Sequence, residues 1–135
     1  MSHILVVDDD PDIRQLVVEL LRLSGYEAKS APSGVIALSE LTDRFGERPD
    51  VVLLDVQMPE LDGWDTLRAI RARADLRDLK VVLCTVKAAP EDVQLAYSLG
   101  SDGYLAKPFA VAELVAEIER VQAVPQSETT STPAR

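Results

Sequence analysis

Five side chains in this sequence could act together on one small charged group: Asp8, Asp9, Asp55, Thr85 and Lys107. Asp8, Asp55, Thr85 and Lys107 each follow directly on an apolar run, Ile4 to Val7, Val51 to Leu54, Val81 to Cys84 or Gly103 to Ala106, and Asp9 comes next after Asp8. Carboxylates gathered in one place repel unless a cation sits among them. Hard oxygen ligands, few in number and beside open space, suit Mg2+, which keeps waters and takes the rest of its shell from a phosphate; Mn2+ is the alternative ion. A carboxylate is also a nucleophile, able to form an aspartyl phosphate. Phosphoryl transfer asks for positioning and charge neutralisation more than covalent help. A cation, the Lys107 ammonium and the Thr85 hydroxyl would supply both, so the set is sufficient for a carboxylate that accepts a phosphoryl group.

For these residues to meet, the chain must bring the ends of four strands to one edge. The apolar run from Val51 delivers Asp55 and stops at Met58-Pro59, with Asp62-Gly63 in the loop beyond. An unbroken apolar run of this kind reads as a fully buried strand. After the first strand, Asp10 is placed as an N-cap with Pro11 at the first helical position. Ile13, Leu16, Val17, Leu20, Leu21 and Leu23 follow at helical spacing, with Leu16 expected in the core, and Gly25 fits the helix stop. Tyr26 to Ala31 is a weaker, lysine-bearing strand of edge type. Ser33 caps a second helix that ends near Phe45-Gly46. Trp64, Leu67 and Ile70 mark a third, Pro90 starts a fourth that runs to Gly100, and Val111 to Val121 forms a fifth. Five strands alternating with five helices predict an α/β protein with a parallel sheet covered on both faces and right-handed crossovers. The chemistry of such a sheet lies at the carboxyl ends of its strands.

The chain of 135 residues is about one domain, assigned to residues 1–123, and 47% hydrophobic residues suit a globular core. Residues 124–135, rich in Pro, Ser and Thr, are expected to be a disordered tail or a truncated linker. The net charge of −9 argues against nucleic-acid binding by the body of the protein and against an anionic membrane surface. No apolar run exceeds about four residues, so neither a transmembrane helix nor a signal peptide is expected, and a cytoplasmic location follows. Cys84, the single cysteine, lies in an apolar run and is expected to be an inert core residue.

Taken together, Val6-Val7-Asp8-Asp9, Leu54-Asp55 with Met58-Pro59 and Asp62-Gly63, Thr85, and Tyr104 with Lys107-Pro108-Phe109 resemble the receiver domain of two-component response regulators. The resemblance covers about residues 3 to 122, in the right order, with strand–helix units between. It implies a flavodoxin-like doubly wound sheet of order 2-1-3-4-5. Asp55 would be the phosphoacceptor. Asp9 would bind Mg2+ directly, Asp8 directly or through water, and Asp55 and the Gln57 backbone carbonyl would complete the protein ligands. Lys107 would pair with Asp55 or its phosphoryl group. Thr85 would hydrogen-bond a phosphoryl oxygen, and Tyr104 would change rotamer as Thr85 moves. A cis Lys107-Pro108 bond is also implied.

The implied partners are a sensor histidine kinase or histidine phosphotransfer protein as donor and a downstream target protein. The chain would be a signalling domain that assists its own phosphorylation and dephosphorylation, either a stand-alone receiver or phosphorelay member, or a receiver cut at its linker. It would be a monomer or a dimer formed on phosphorylation. Its switching surface would be the fourth helix, fifth strand and fifth helix. Ile13, Leu16 and Pro108 are the residues that would dock the partner. Val86 departs from the family, which has a small residue there, and is expected to narrow the pocket. Gln57 and Lys87, each two residues beyond a site residue, would tune the lifetime of the phosphorylated form.

Other readings stand beside this one. Asp8 and Asp10 also form the Asp-x-Asp pattern of haloacid dehalogenase phosphohydrolases, with the nucleophile on the first strand, although that family expects Thr or Val where Asp12 stands. The domain could be a binding scaffold that has lost phosphorylation. A mononucleotide or flavin site lacks its glycine-rich loop after the first strand. His3, the only histidine, lies at the amino end of the first strand and cannot donate to Asp55 within the molecule.

Overall fold

A computed structural model of the chain describes residues 2–43, 46–86 and 89–123. The elements run β1 (His3–Val7), α1 (Pro11–Leu23), β2 (Glu27–Ala31), α2 (Gly34–Leu41), β3 (Val51–Asp55), α3 (Gly63–Ala72), a short 3-10 turn (Ala74–Leu76), β4 (Lys80–Thr85), α4 (Pro90–Ser98), β5 (Gly103–Ala106) and α5 (Val111–Ala123). The strands form one parallel sheet in the order β2-β1-β3-β4-β5. This is the expected architecture, with β3 at the centre and β2 at an edge. No helix among the described residues is long and apolar enough to cross a membrane.

The strands are legible because the sheet is covered on both faces. Along β1, Ile4 and Val6 face one cluster while Leu5 and Val7 face the other; in β3, Val51 and Leu53 alternate in the same way with Val52 and Leu54. Every position must then be apolar, which produces runs rather than alternation. Val17, Val18 and Leu21 of α1 and Leu114, Ile118 and Val121 of α5 cover one face. Ala37 of α2, Leu67 and Ile70 of α3 and Ala96 of α4 cover the other. Fully buried side chains such as Leu54, Leu83 and Ile118 each contribute roughly 1.5–3 kcal/mol by leaving water. Cys84 is buried in the α1–α5 cluster, as expected. Phe109 packs against the same cluster and Trp64 against the opposite one.

The helix caps are local and were readable in the sequence. Asp10 accepts from the amides of Asp12 and Ile13, Ser33 accepts from Ile36, and Gly25 takes φ +95° just after α1. Two limits differ from expectation. Glu27 rather than Tyr26 begins β2, because the Tyr26 amide is committed to the Leu21 carbonyl at the end of α1. α2 stops at Leu41, where the Thr42 hydroxyl folds back onto the Leu38 carbonyl at 2.9 Å; Phe45 and the expected tail at 124–135 lie outside the described residues.

Both edge strands are closed by an arginine from the last turns of a helix. Arg22 of α1 donates to the Ala28 carbonyl of β2 at 2.9 Å, and Arg120 of α5 donates to the Asp102 carbonyl beside β5 at 2.8 Å. Unpaired edge groups invite other strands, and a charged side chain laid along them blocks that pairing.

Candidate functional site

The parallel sheet puts all five strand ends on one side of the molecule, and the site is assembled there. Asp55 is the last residue of β3, Thr85 the last of β4, and Asp8 follows the last residue of β1. β4 lies between β3 and β5, and the register pairs Asp55 with Cys84 and Thr85 with Ala106. Lys107 therefore leaves β5 one step beyond Thr85, and its amide donates to the Thr85 carbonyl at 2.7 Å.

Asp8, Asp9 and Asp55 each present a carboxylate oxygen, and the three oxygens lie within 4.8 Å of one another. Asp8 and Asp55 are buried, while Asp9 is exposed. The Lys107 ammonium bridges the two buried groups, 3.2 Å from Asp8 Oδ2 and 3.1 Å from Asp55 Oδ1. The other Asp8 oxygen accepts from the Asp10 amide at 2.9 Å. Burial raises the Asp55 carboxyl above its ordinary range; Lys107 opposes this by hydrogen bond and charge, and Asp8 adds to it. Burial would lower the Lys107 ammonium, but its bonds and charge pairing with Asp55 and Asp8 outweigh that and hold it above its usual value. The cluster is thus a partly desolvated anionic site with one fixed counter-charge among the described residues.

The donor set fits a small hard cation: three carboxylate oxygens, two from buried residues and one from the exposed Asp9. Gln57, two residues past Asp55, is exposed in the same loop. That loop is held at both ends. The Val56 amide bonds to the Cys84 carbonyl at 3.0 Å, and the Gly63 amide closes back on the Val56 carbonyl at 2.9 Å. A side chain on Gly63 would meet the Asp55 carbonyl oxygen at 2.5 Å, so only glycine lets α3 begin this close to the end of β3. Asp62 caps α3 by accepting from the Asp65 amide.

The remaining expected residues distribute as follows. Thr85 is almost fully buried. Tyr104 is half-buried and packs on the side of the sheet covered by α4; burial first, then the charge of Asp92, push its hydroxyl up. Val86, directly after Thr85, is 59% exposed. Lys87 lies outside the described residues. The Lys107-Pro108 bond is cis, and Pro108 is exposed beside the site. Ile13 is 40% exposed on α1. Leu16, expected in the core, is 52% exposed instead; α1 turns Val17, Val18 and Leu21 to the sheet and leaves Leu16 outside with Ile13. His3 lies at the opposite end of β1, between Glu27 at 3.6 Å and Glu47 at 3.4 Å.

Three contributors escaped sequence reasoning. Arg14 of α1 donates to the Asp8 carbonyl at 2.9 Å and steadies the turn that presents Asp8 and Asp9. Leu23, 85% exposed, extends the apolar stripe of Ile13 and Leu16 along α1. Glu117 of α5 accepts from the Tyr104 amide at 3.0 Å. For Glu117 the available signal was its position three residues before Arg120, the spacing of a helical ion pair.

Comparison with known proteins agrees with this architecture. The family model described as the response regulator receiver domain matches residues 4–119. The transcriptional regulatory protein PrrA of Mycobacterium tuberculosis is 39% identical over 117 residues, which are 87% of this chain and 48% of that protein. The chain thus spans about half the length of the curated relatives it matches. The Vibrio cholerae chemotaxis response regulator CheY4 superposes with a TM-score of 0.82 at 33% identity, over 90% of this chain and 98% of that one. The receiver domain of the Pseudomonas aeruginosa sensor histidine kinase PA1611, solved with a magnesium ion coordinated in its active-site cleft, gives 0.81 at 31% identity, over 91% and 98%. With the fold, the strand-end cluster and these matches in agreement, the chain belongs to the response regulator receiver domain family.

Proposed function

We propose that Asp55 accepts a phosphoryl group from a phosphohistidine on a partner protein, in a Mg2+-dependent reaction. The observation that carries this reading is the Lys107 ammonium, 3.1 and 3.2 Å from two of three carboxylates that share one 4.8 Å cluster. Asp9, Asp8, Asp55 and the Gln57 backbone carbonyl would hold the cation, which would neutralise charge on the phosphoryl oxygens. PA1611 supports this assignment, since its receiver domain holds magnesium in the active-site cleft.

In the transfer, an Asp55 carboxylate oxygen forms a bond to phosphorus while the bond from phosphorus to the donor imidazole nitrogen breaks. The electron pair leaves with the imidazole, which takes a proton from solvent. The Asp55 carboxylate supplies the attacking oxygen. Lys107 exchanges its contact with Asp55 for one with the incoming phosphoryl oxygen, Thr85 donates its hydroxyl to another, and Tyr104 follows Thr85 into a new rotamer. The two states of the surface formed by α4, β5 and α5 are then read by a downstream protein. Gln57 and Lys87 tune hydrolysis of the aspartyl phosphate. Ile13, Leu16 and Pro108 dock the donor. The chain acts as a receiver through protein contacts, whether as a stand-alone receiver, as a phosphorelay member or as the receiver part of a longer protein.

The dehalogenase-type alternative is disfavoured by Asp10. Its carboxylate is used as the cap of α1, accepting from Asp12 and Ile13 at 2.9 and 3.3 Å, rather than aimed at the cluster. Intact-protein mass after incubation with acetyl phosphate tests both readings. One added phosphoryl group that requires Mg2+ and is lost in Asp55→Ala supports the receiver. Label on Asp8, or uptake unaffected by Asp55→Ala, overturns it.

A further inference from the structure

β5 is the shortest strand of the sheet and lies at its edge, yet it joins Tyr104 to Lys107. On its inner side it is held by β4 and by the Lys107 amide on the Thr85 carbonyl at 2.7 Å. On its outer side it is held by two side chains of α5. Glu117 Oε2 accepts from the Tyr104 amide at 3.0 Å, and Arg120 donates to the Asp102 carbonyl at 2.8 Å. Arg120 also grips Glu117 in a two-pronged pair, Nε to Oε1 at 2.9 Å and Nη2 to Oε2 at 2.8 Å. The Glu117 side chain is only 15% exposed. It crosses directly over Gly103, where any Cβ would collide with its Oε2. The sequence has thus left room for this carboxylate at the strand edge.

Resting on the phosphoacceptor reading above, we propose that Glu117, clamped by Arg120, is a positioning residue for that reaction: it fixes the β5 backbone that carries Tyr104 and Lys107. Its bond is made to the backbone of the switch tyrosine itself, so α5 is tied directly to the residue that changes rotamer. A charge-assisted bond of this geometry is stronger than an ordinary edge contact. The opposite edge offers an internal comparison. Arg22 closes β2 with a similar 2.9 Å bond to the Ala28 carbonyl, but β2 ends at Ala31-Pro32 and delivers no site residue. If the α5 bonds served only to block a sheet edge, the two arginine–strand contacts would be equivalent in function.

The experiment measures the rate of acetyl phosphate uptake in Mg2+ by intact mass on the full chain, with amide exchange of the β5 peptide on the same samples. Glu117→Ala is expected to slow uptake about five- to tenfold, the loss of one charge-assisted hydrogen bond, and to speed exchange at Tyr104. Glu117→Gln keeps an oxygen acceptor for the Tyr104 amide but gives up the charge that holds Arg120, so it is expected to slow uptake by about threefold, less than Glu117→Ala does. Arg22→Gln is expected to stay within about twofold of wild type. Uptake by Glu117→Ala within about twofold of wild type, or equal slowing by Arg22→Gln, overturns the proposal. Should Glu117→Ala not fold, Arg120→Gln decides the matter: slowing by about threefold or more supports the clamp, and an unchanged rate overturns it. Absence of any adduct on wild-type protein overturns the phosphoacceptor reading and this inference with it, whereas a normal wild-type adduct with an indifferent Glu117→Ala overturns this inference alone.

Discussion

Lys107 and Asp55 stand 52 residues apart in the chain, at the ends of strands β5 and β3 with β4 between them, yet Nζ lies 3.1 Å from Oδ1. The same ammonium lies 3.2 Å from Asp8 Oδ2. One cation thus balances two buried anions, and removing it leaves like charges facing each other. Lys107→Ala is expected to cost about 1–3 kcal/mol of stability without metal. It is expected to slow uptake from acetyl phosphate by about 100-fold, the usual effect of losing a preorganised charge at a transferring group. Denaturant melts and the mass assay check the two effects separately.

The Asp55 carboxyl is raised above its ordinary 3.8, first by burial and then, against the pull of Lys107, by the charge of Asp8. The folded protein therefore holds this proton more tightly than the unfolded chain does. In the window just above 3.8 the native state binds more protons, so this group's contribution to stability falls as the pH rises. Asp55→Asn should accordingly melt higher than wild type at neutral pH without metal, with the gap closing as the pH falls through that window. Thermal melts across pH test this. Adding Mg2+ should reverse the order, since a ligand at about 100 times its dissociation constant stabilises the native state by roughly 2.7 kcal/mol.

Ile13, Leu16 and Leu23 form an exposed apolar stripe on α1 that supports none of the core. Leu16→Ala and Leu23→Ala are expected to change stability by no more than about 0.5 kcal/mol. If the stripe docks the donor, Leu16→Ala slows transfer from a phosphohistidine protein while leaving uptake from acetyl phosphate unchanged. Equal rates from both donors would remove the docking role.

Gly63 binds α3 to the end of β3, where a Cβ would lie 2.5 Å from the Asp55 carbonyl oxygen and 2.6 Å from the Val56 Cα. Those neighbours are backbone and cannot step aside. Gly63→Ala should cost about 1–3 kcal/mol through overpacking and weaken Mg2+ binding by displacing Asp55. Titration followed by the fluorescence of neighbouring Trp64 measures the second effect.

Cys84 is buried beside the site, and burial pushes its thiol up to about 12. It should react with a thiol-specific disulfide reagent at neutral pH only as the native state opens, with a rate that follows global stability across the variants above. Rapid labelling of the native protein would show a local opening of β4.

The sequence alone determined the strands, the caps and which candidate residues stand at the strand ends. Burial on both faces writes Ile4 to Val7, Val51 to Leu54 and Val81 to Cys84 as unbroken apolar runs, and Asp10, Ser33 and Gly25 act within a turn of where they stand. Strand order followed from the family resemblance rather than from pattern, because a parallel βα repeat reads the same in any order. Only the tertiary structure decided which side of α1 is buried. Apolar residues at 13, 16, 20 and 23 form one stripe and those at 17, 18 and 21 another, and a single sheet covers only one of them. Only the tertiary structure brought Glu117 to the Tyr104 amide and Lys107 to two aspartates. Those contacts depend on strand register and helix docking, long-range relationships that no local spacing encodes.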